Sequence, residues 1–230
     1  NQVRMNGMDG PYSQVLINSR PIFSSLAGVY GLELIPANMI EKVEVVRGGG
    51  SALYGSNAIA GTINVILKDP IANTYEFGTG SSLIGVSPEY GNDIAEEYHV
   101  NFNGSLVSSD ARTGMSMYAS HRNRNFFDGN NDGYSEISEI NNITMGTRIY
   151  HRFGSKSKIN IDFFSINESR RGGNKFDLPE HEADIAESVT HNINSGAINY
   201  EKFIKGRDKF SAFFSAQNIN RDAYYGAEQS

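Results

Sequence analysis

The sequence predicts an all-β fold in two parts: a small sheet unit over residues 1–70, then the first ~7 antiparallel strands of a transmembrane β-barrel over residues 71–230. Three observations carry this. After Pro70, apolar and polar residues alternate in segments of roughly ten residues, the length of a tilted barrel strand. The connections between these segments alternate short and long. Before Pro70, two short alternating segments bracket a glycine-rich turn.

Composition agrees with this class. The chain has 230 residues, of which 39% are apolar and 11% aromatic. No apolar run reaches the ~18 residues that a membrane-spanning helix needs. A barrel stays open, because alternating strands hide their lipid face from hydropathy averages. A net charge of −6 argues against a nucleic-acid surface. The absence of cysteine excludes disulfides and thiolate metal sites.

In the first part, Gln14-Val15-Leu16-Ile17-Asn18 reads as a short strand after the turn Asp9-Gly10-Pro11. Ser24-Ser25-Leu26-Ala27-Gly28-Val29-Tyr30 is small, glycine-containing and aperiodic, as a loop is. Ile40, Val43, Val45 and Val46 bracket Glu41, Lys42 and Glu44; Ile63, Val65 and Leu67 alternate with Thr62, Asn64 and Ile66. Each set predicts a strand. Between them, Gly48-Gly49-Gly50 allows a turn with positive φ. Ser51 is placed to cap a single helical turn and Gly55 to stop it.

The ordered string from Ile40 to Gly48, continued by Ser51-Ala52-Leu53-Tyr54-Gly55-Ser56-Asn57-Ala58-Ile59-Ala60-Gly61-Thr62-Ile63-Asn64, resembles the plug signature of TonB-dependent outer-membrane transporters. The resemblance implies that residues 1–70 are the C-terminal part of a plug domain and residues 71–230 the start of the surrounding barrel wall. It implies a ligand-facing plug loop at Ser24–Tyr30, where Leu26-Ala27-Gly28-Val29 is similar to that loop in cobalamin receptors. It also implies that Arg47 latches plug to wall by pairing with barrel carboxylates. Asn6 departs from the pattern, since many members carry arginine before the glycine at that place.

The wall strands follow in order. Tyr75, Phe77 and Leu83 share one face of the first; Tyr98, Val100, Phe102 and Leu106 share one face of the second, against His99, Asn101, Asn103 and Ser105. Met115, Met117 and Ala119 oppose Ser116, Ser120 and Arg122 in the third. Met145 and Ile149 oppose Thr144 and Arg148 in the fourth; Ile159, Ile161 and Phe163 oppose Asn160 and Asp162 in the fifth. The sixth, about Thr190 to Phe203, is weakly patterned. Phe210, Ala212 and Phe214 oppose Ser211 and Ser215 in the seventh. Period two with one apolar face suits a wall between lumen and lipid. Ser108-Ser109-Asp110, Gly154–Ser157 and Lys205–Asp208 are tight turns, on the periplasmic side; the stretch from Arg170 to Ser188 reads as a long outer connection. Tyr98, Tyr118, Tyr150 and Tyr200 are expected interfacial anchors. Such plugged barrels use ~22 strands, so the pattern predicts a fragment of a larger wall.

One outer connection carries a sharper motif. Asp128 to Glu139 fits D-x-[DN]-x-[DN]-G-x₅-E, a calcium loop. Asp128, Asn130 and Asp132 would supply oxygens, Tyr134 its carbonyl, Glu136 a ligand directly or through water, and Glu139 a bidentate carboxylate. A solvated loop of Asx turns is the competing reading. No nucleophile elbow, HExxH or phosphate loop is visible, so no enzyme is expected. The resemblance implies TonB-coupled import of a scarce bulky ligand in the outer membrane, cobalamin first, with haem or a siderophore next. His181 is the local support for haem. The partners implied are TonB, the ligand, outer-membrane lipid and a surface lipoprotein lid. A passive porin-like or adhesive barrel is the alternative class.

Overall fold

The structure is a computed structural model that describes residues 4–9, 12–21, 40–87, 94–204 and 208–227. The chain divides into two compact units, Asn1–Pro70 and Ile71–Ser230, each with its own sheet. It is nearly all β.

The first sheet contains β1 (Ser13–Ile17), β2 (Arg20–Pro21), β3 (Ile40–Arg47) and β4 (Gly61–Leu67), in the order β2-β1-β4-β3. β4 is central, parallel to β1 and antiparallel to β3. Every β4 residue except Ile66 is buried, including Thr62 and Asn64. The buried asparagine is satisfied: its Oδ1 accepts the Ser19 N–H at 2.7 Å, and its Nδ2 donates to Ser19 Oγ and Glu44 Oε2. That bonding ties β3 and β4 to the Asn18-Ser19 turn. Both turn residues have positive φ, 49° and 64°, the signature of a type I′ hairpin joining β1 to β2.

Between β3 and β4, Gly48 and Gly49 have φ of 71° and 68°, as the glycine run predicts. The helical turn α1 (Ser51–Tyr54) ends at Gly55, φ 88°, also as predicted. Its cap differs: Gly50 occupies that position without a side-chain bond, and Ser51 is the first helical residue. Gly50 lies so close to Thr62 that a Cβ would come within 2.8 Å of the Thr62 methyl. The turn is therefore closed by packing on β4 rather than by a serine cap.

The second sheet is an antiparallel meander of seven strands: β5 (Thr74–Ile84), β6 (Ala95–Val107), β7 (Thr113–Arg124), β8 (Glu139–Arg152), β9 (Ser157–Gly173), β10 (Ile185–Phe203) and β11 (Lys209–Ala227). Short turns follow β6, β8 and β10; longer connections follow β5, β7 and β9. The register runs one apolar row across six strands: Leu106, Met115, Ile149, Ile161, Ile198 and Phe214 are successive cross-strand partners. The neighbouring row, one residue along, is Ser105, Ser116, Arg148, Asp162, Ala197 and Ser215. The two rows point to opposite faces, apolar toward lipid and mainly polar toward the lumen.

The polar face is bonded. Arg148 pairs with Asp162 at 3.2 Å, and Arg170 with Glu168 at 2.6 Å. Asn142 donates to Glu168 Oε2 at 2.9 Å and accepts from Thr144. Two of the four expected interfacial tyrosines also lie on this face. Tyr150 and Tyr118 are buried over their cross-strand partners Gly114 and Gly146, where a Cβ would meet the rings at 2.3 and 2.5 Å. They fill the space that the glycines leave instead of anchoring the interface. Tyr98 and Tyr200 keep the outward face. The other correction concerns length. β9 runs through Gly173 and β10 starts at Ile185, so the connection predicted from Arg170 to Ser188 shrinks to residues 174–184.

Candidate functional site

The predicted ligand-facing loop Ser24, Ser25, Leu26, Ala27, Gly28, Val29 and Tyr30 lies outside the described residues. The β1–β2 hairpin precedes it in sequence. Asn18 accepts the Leu67 N–H at 3.0 Å, and with Asn64 fixes that hairpin to β4.

Arg47 ends β3, opposite Gly61, with its side chain exposed. It lines a cleft of about 530 Å³ in the first unit with Arg4, Met5, Asn6, Val45 and Ile63. Asn6 stands here for a structural reason. Asn6 and Gly7 have φ of 54° and 74° in a tight turn closed by a Met5–Met8 bridge, and Asn6 Nδ2 donates to Ala60 O. Asparagine tolerates the left-handed region better than arginine does.

The acidic outer loop follows β7. Phe127 and Ile137 pair across its base and Phe127 is buried, so residues 128–136 form a closed excursion. Within it Asp128, Asp132 and Glu136 bring one carboxylate oxygen each within 4.8 Å of one another. Their other contacts are with the loop itself. Asp128 Oδ2 accepts the Gly133 N–H, Asn130 Oδ1 that of Asp132, Asp132 Oδ1 that of Tyr134, and Glu136 Oε2 that of Gly129. Asn131 and Gly133 take positive φ, 57° and 88°, to make the turns. Asp128 Oδ1 is buried without a hydrogen-bond partner. Glu139 stands outside this group as the first residue of β8, opposite Arg171. With Asp128 and Phe126 it borders a cleft of about 370 Å³.

Sequence reasoning did not reveal how this loop meets the next one. Ser135 donates its N–H to Gly173 O at 2.9 Å and accepts the Gly173 N–H on Oγ at 3.0 Å. Phe126 stacks on Phe176 with centroids 3.8 Å apart, and the Arg171 guanidinium covers the same ring at 5.1 Å. Arg124 donates to Ser138 O from two nitrogens. Nothing in local spacing announces these pairs, which depend on the β8–β9 register. His181 sits exposed on a 3₁₀ turn, 3.6 Å from Glu182.

Comparison with known proteins adds identity to this geometry. Residues 1–62 match the family described as TonB-dependent Receptor Plug Domain. The chain is 44% identical over 61 residues to the vitamin B12 transporter BtuB of Vibrio vulnificus, covering 26% of this chain and 10% of that protein. It is 30% identical over 84 residues to the ferric enterobactin receptor of Pseudomonas aeruginosa, covering 32% and 11%. The siderophore receptor PirA from Pseudomonas aeruginosa superposes with a TM-score of 0.67 over 96% of this chain and 35% of that one, at 18% identity. That last likeness concerns fold alone; this chain spans about a third of the receptor. Residues 1–62 thus carry plug-domain sequence of the TonB-dependent receptors, and the chain has the fold of a fragment of such an outer-membrane receptor.

Proposed function

We propose that the complete receptor captures a scarce, bulky ligand at the outer surface and imports it, with TonB supplying the energy by acting on the plug. The cargo proposed first is cobalamin. The observation that carries this is the plug likeness to a vitamin B12 transporter over 61 residues. The Leu26-Ala27-Gly28-Val29 string points the same way. A ferric siderophore is the second reading, favoured by the likeness to the ferric enterobactin receptor. Haem has only exposed His181 in its support. A passive or adhesive barrel gives no reason for the plug string. The proposed chemistry is binding and release, with no covalent step.

The acidic loop is proposed as a calcium site. Asp128, Asp132 and Glu136 would hold the ion, with Asn130 and the Tyr134 carbonyl completing the oxygen set and Glu139 left aside. Hard oxygen donors and the unpartnered buried Asp128 Oδ1 fit such a cation. Calcium would neutralise three neighbouring carboxylates. Ser135 already ties this loop to Gly173, so removing calcium should loosen the rim and weaken capture.

Calorimetric titration of the complete, detergent-solubilised receptor with cyanocobalamin, with and without calcium, tests both. Tight binding that weakens in chelator supports cargo and ion together. Binding indifferent to chelator removes the ion and keeps the cargo. No binding in either condition removes cobalamin and sends the titration to ferric siderophores.

A further inference from the structure

Along most of the inward face of the second sheet, arginines meet carboxylates. Arg122 and Arg124 share Glu97 at 3.0 and 3.9 Å, Arg148 has Asp162, and Arg170 has Glu168. The pattern breaks at the end that carries the short turns. There the cross-strand partner of Arg152 is Lys158, and the Arg152 N–H donates to the Arg112 carbonyl at 2.8 Å. Arg112, Arg152 and Lys158 thus stand in one row at the ends of β7, β8 and β9. Like charges directly opposite each other destabilise a sheet. The Arg152 guanidinium donates to Ala111 O at 3.2 Å and has no carboxylate partner among the described residues. Two carboxylates lie nearby, and each is engaged. Arg112 keeps Asp110 at 3.7 Å, and Glu201, opposite Lys158, is held by Lys209 at 2.6 Å.

A repulsive pair persists where its surroundings hold it. Tyr150 does this: Arg152 Cζ and Lys158 Nζ lie 4.9 and 5.1 Å from the centre of its ring. Each cation is attracted by the ring's electron-rich face. Tyr150 is itself buried over Gly114, which has no side chain to compete for the space. The two cations are therefore held side by side before any ligand arrives. They also face away from lipid. The outward row beside them, Thr113, His151, Ile159 and Tyr200, carries no lysine or arginine, and Lys202 follows one row lower. A site for headgroup phosphates would turn its cations outward.

Strands ~4.8 Å apart let these long side chains converge on one small anion. A phosphate group carries nearly two negative charges at neutral pH and three strong acceptor oxygens. Arginine meets such an anion with two parallel donors and lysine as a point charge. A carboxylate brings half that charge. We propose that Arg112, Arg152 and Lys158 form a binding site for the phosphate group of a soluble solute, at the periplasmic end of the wall's lumen face. The site rests on the orientation of the wall, short turns toward the periplasm. It is independent of the cargo.

The test uses the complete receptor in a phosphate-free detergent, with inorganic phosphate as the probe. Phosphorus NMR reads binding as broadening of the phosphate signal. The unaltered receptor should broaden it, and Arg152→Gln/Lys158→Gln should weaken binding about tenfold, the loss of charge-assisted hydrogen bonds. Lys158→Arg keeps the charge and should stay within about threefold of the unaltered receptor. Should the double variant fail to fold, Arg112→Gln, at an exposed turn residue outside the Tyr150 contact, should lower affinity about threefold. A second arm offers phosphatidylglycerol in nanodiscs and reads retained lipid by native mass spectrometry; retention should be the same in the unaltered receptor and the double variant. No broadening by the unaltered receptor overturns the proposal, and so does broadening that the double variant keeps. Lipid retention lost in the double variant while free phosphate binding is unaffected assigns the row to the leaflet, and overturns it as well.

Discussion

β4 of the plug and β9 of the wall show two different ways for a sequence to specify a strand. In β4 nearly every residue is buried, and protein packs on both faces. In β9 burial alternates, with Asn160, Asp162, Phe164, Ile166 and Glu168 inside and Ile161, Phe163 and Asn167 exposed. A strand enclosed on both sides has neighbours of fixed shape at every position. A wall strand has such neighbours at every second position; the other positions need only be apolar within the membrane or polar above it. The family match ends at residue 62, whereas fold likeness runs over 96% of the chain. That difference is what the two kinds of strand would produce.

The largest effects should therefore come from the plug. A Cβ at Gly61 would lie 2.4 Å from the Val46 carbonyl oxygen, and its φ is 151°. Gly61→Val should open the β3–β4 pair and cost about 3 kcal/mol or more. Leu16→Ala, at a fully buried position, should cost ~2–5 kcal/mol. Because the chain lacks cysteine, a fluorophore on Ser56→Cys can follow plug unfolding in urea. An unchanged midpoint for both variants would erase the proposed contrast.

On the wall, the outward row is the place to sharpen it. Ile161→Lys should cost ~2–4 kcal/mol in refolding into vesicles, the penalty for a charge near the bilayer midplane. Ile161→Leu should stay within ~0.5 kcal/mol, because lipid has no fixed shape to violate. If lysine were tolerated, the row from Leu106 to Phe214 would not be the lipid face.

This contrast also explains what the sequence discloses. The plug turn was legible because Gly48, Gly49 and Gly55 need positive φ that few residues supply. The lipid band was legible wherever the outward residues are apolar, as at Met145 and Ile149. It faded on β9 and β10 where Asn167, Asn192 and Thr190 face outward above the membrane. The ladder continues there because backbone bonding does not depend on side-chain polarity, but the period-two signal disappears. Ends of the predicted Arg170–Ser188 loop were lost to strand for this reason. In the acidic loop the spacing of Asp128, Asp132 and Glu136 was readable. The pairing of Ile137 with Phe127, which leaves Glu139 on β8, depends on a closure that spacing does not encode. The same holds for Ser135 on Gly173 and Phe126 on Phe176.

A smaller effect tests whether the inner face of the wall resembles a protein core. Asn142→Leu removes a hydrogen bond to buried Glu168 and the partner of Thr144. The loss should be ~1–3 kcal/mol, since the carboxylate loses a donor that leucine cannot replace. Asn192→Leu, on the outward face above the membrane, should change the melting temperature little. Equal effects from the two would mean that inner and outer faces are equally permissive.

The smallest effect lies in the turn between β6 and β7, where neither strand type applies. The Asp110 carboxylate accepts the Ser108 hydroxyl at 2.7 Å and the Arg112 N–H at 3.0 Å, and these bonds hold its pKa below the ordinary aspartate range. A carboxyl depressed in the folded state contributes its stabilisation above its unfolded pKa and loses it as pH falls through the folded value. The turn should therefore hold at neutral pH and loosen only under acid, and Asp110→Asn should remove that dependence. A carboxyl-carbon NMR titration of the complete receptor, with Asp110→Asn to assign the signal, reads this directly. A midpoint at or above that of free aspartate would mean the turn is set by its backbone alone, with Ala111 in the left-handed region at φ 53°.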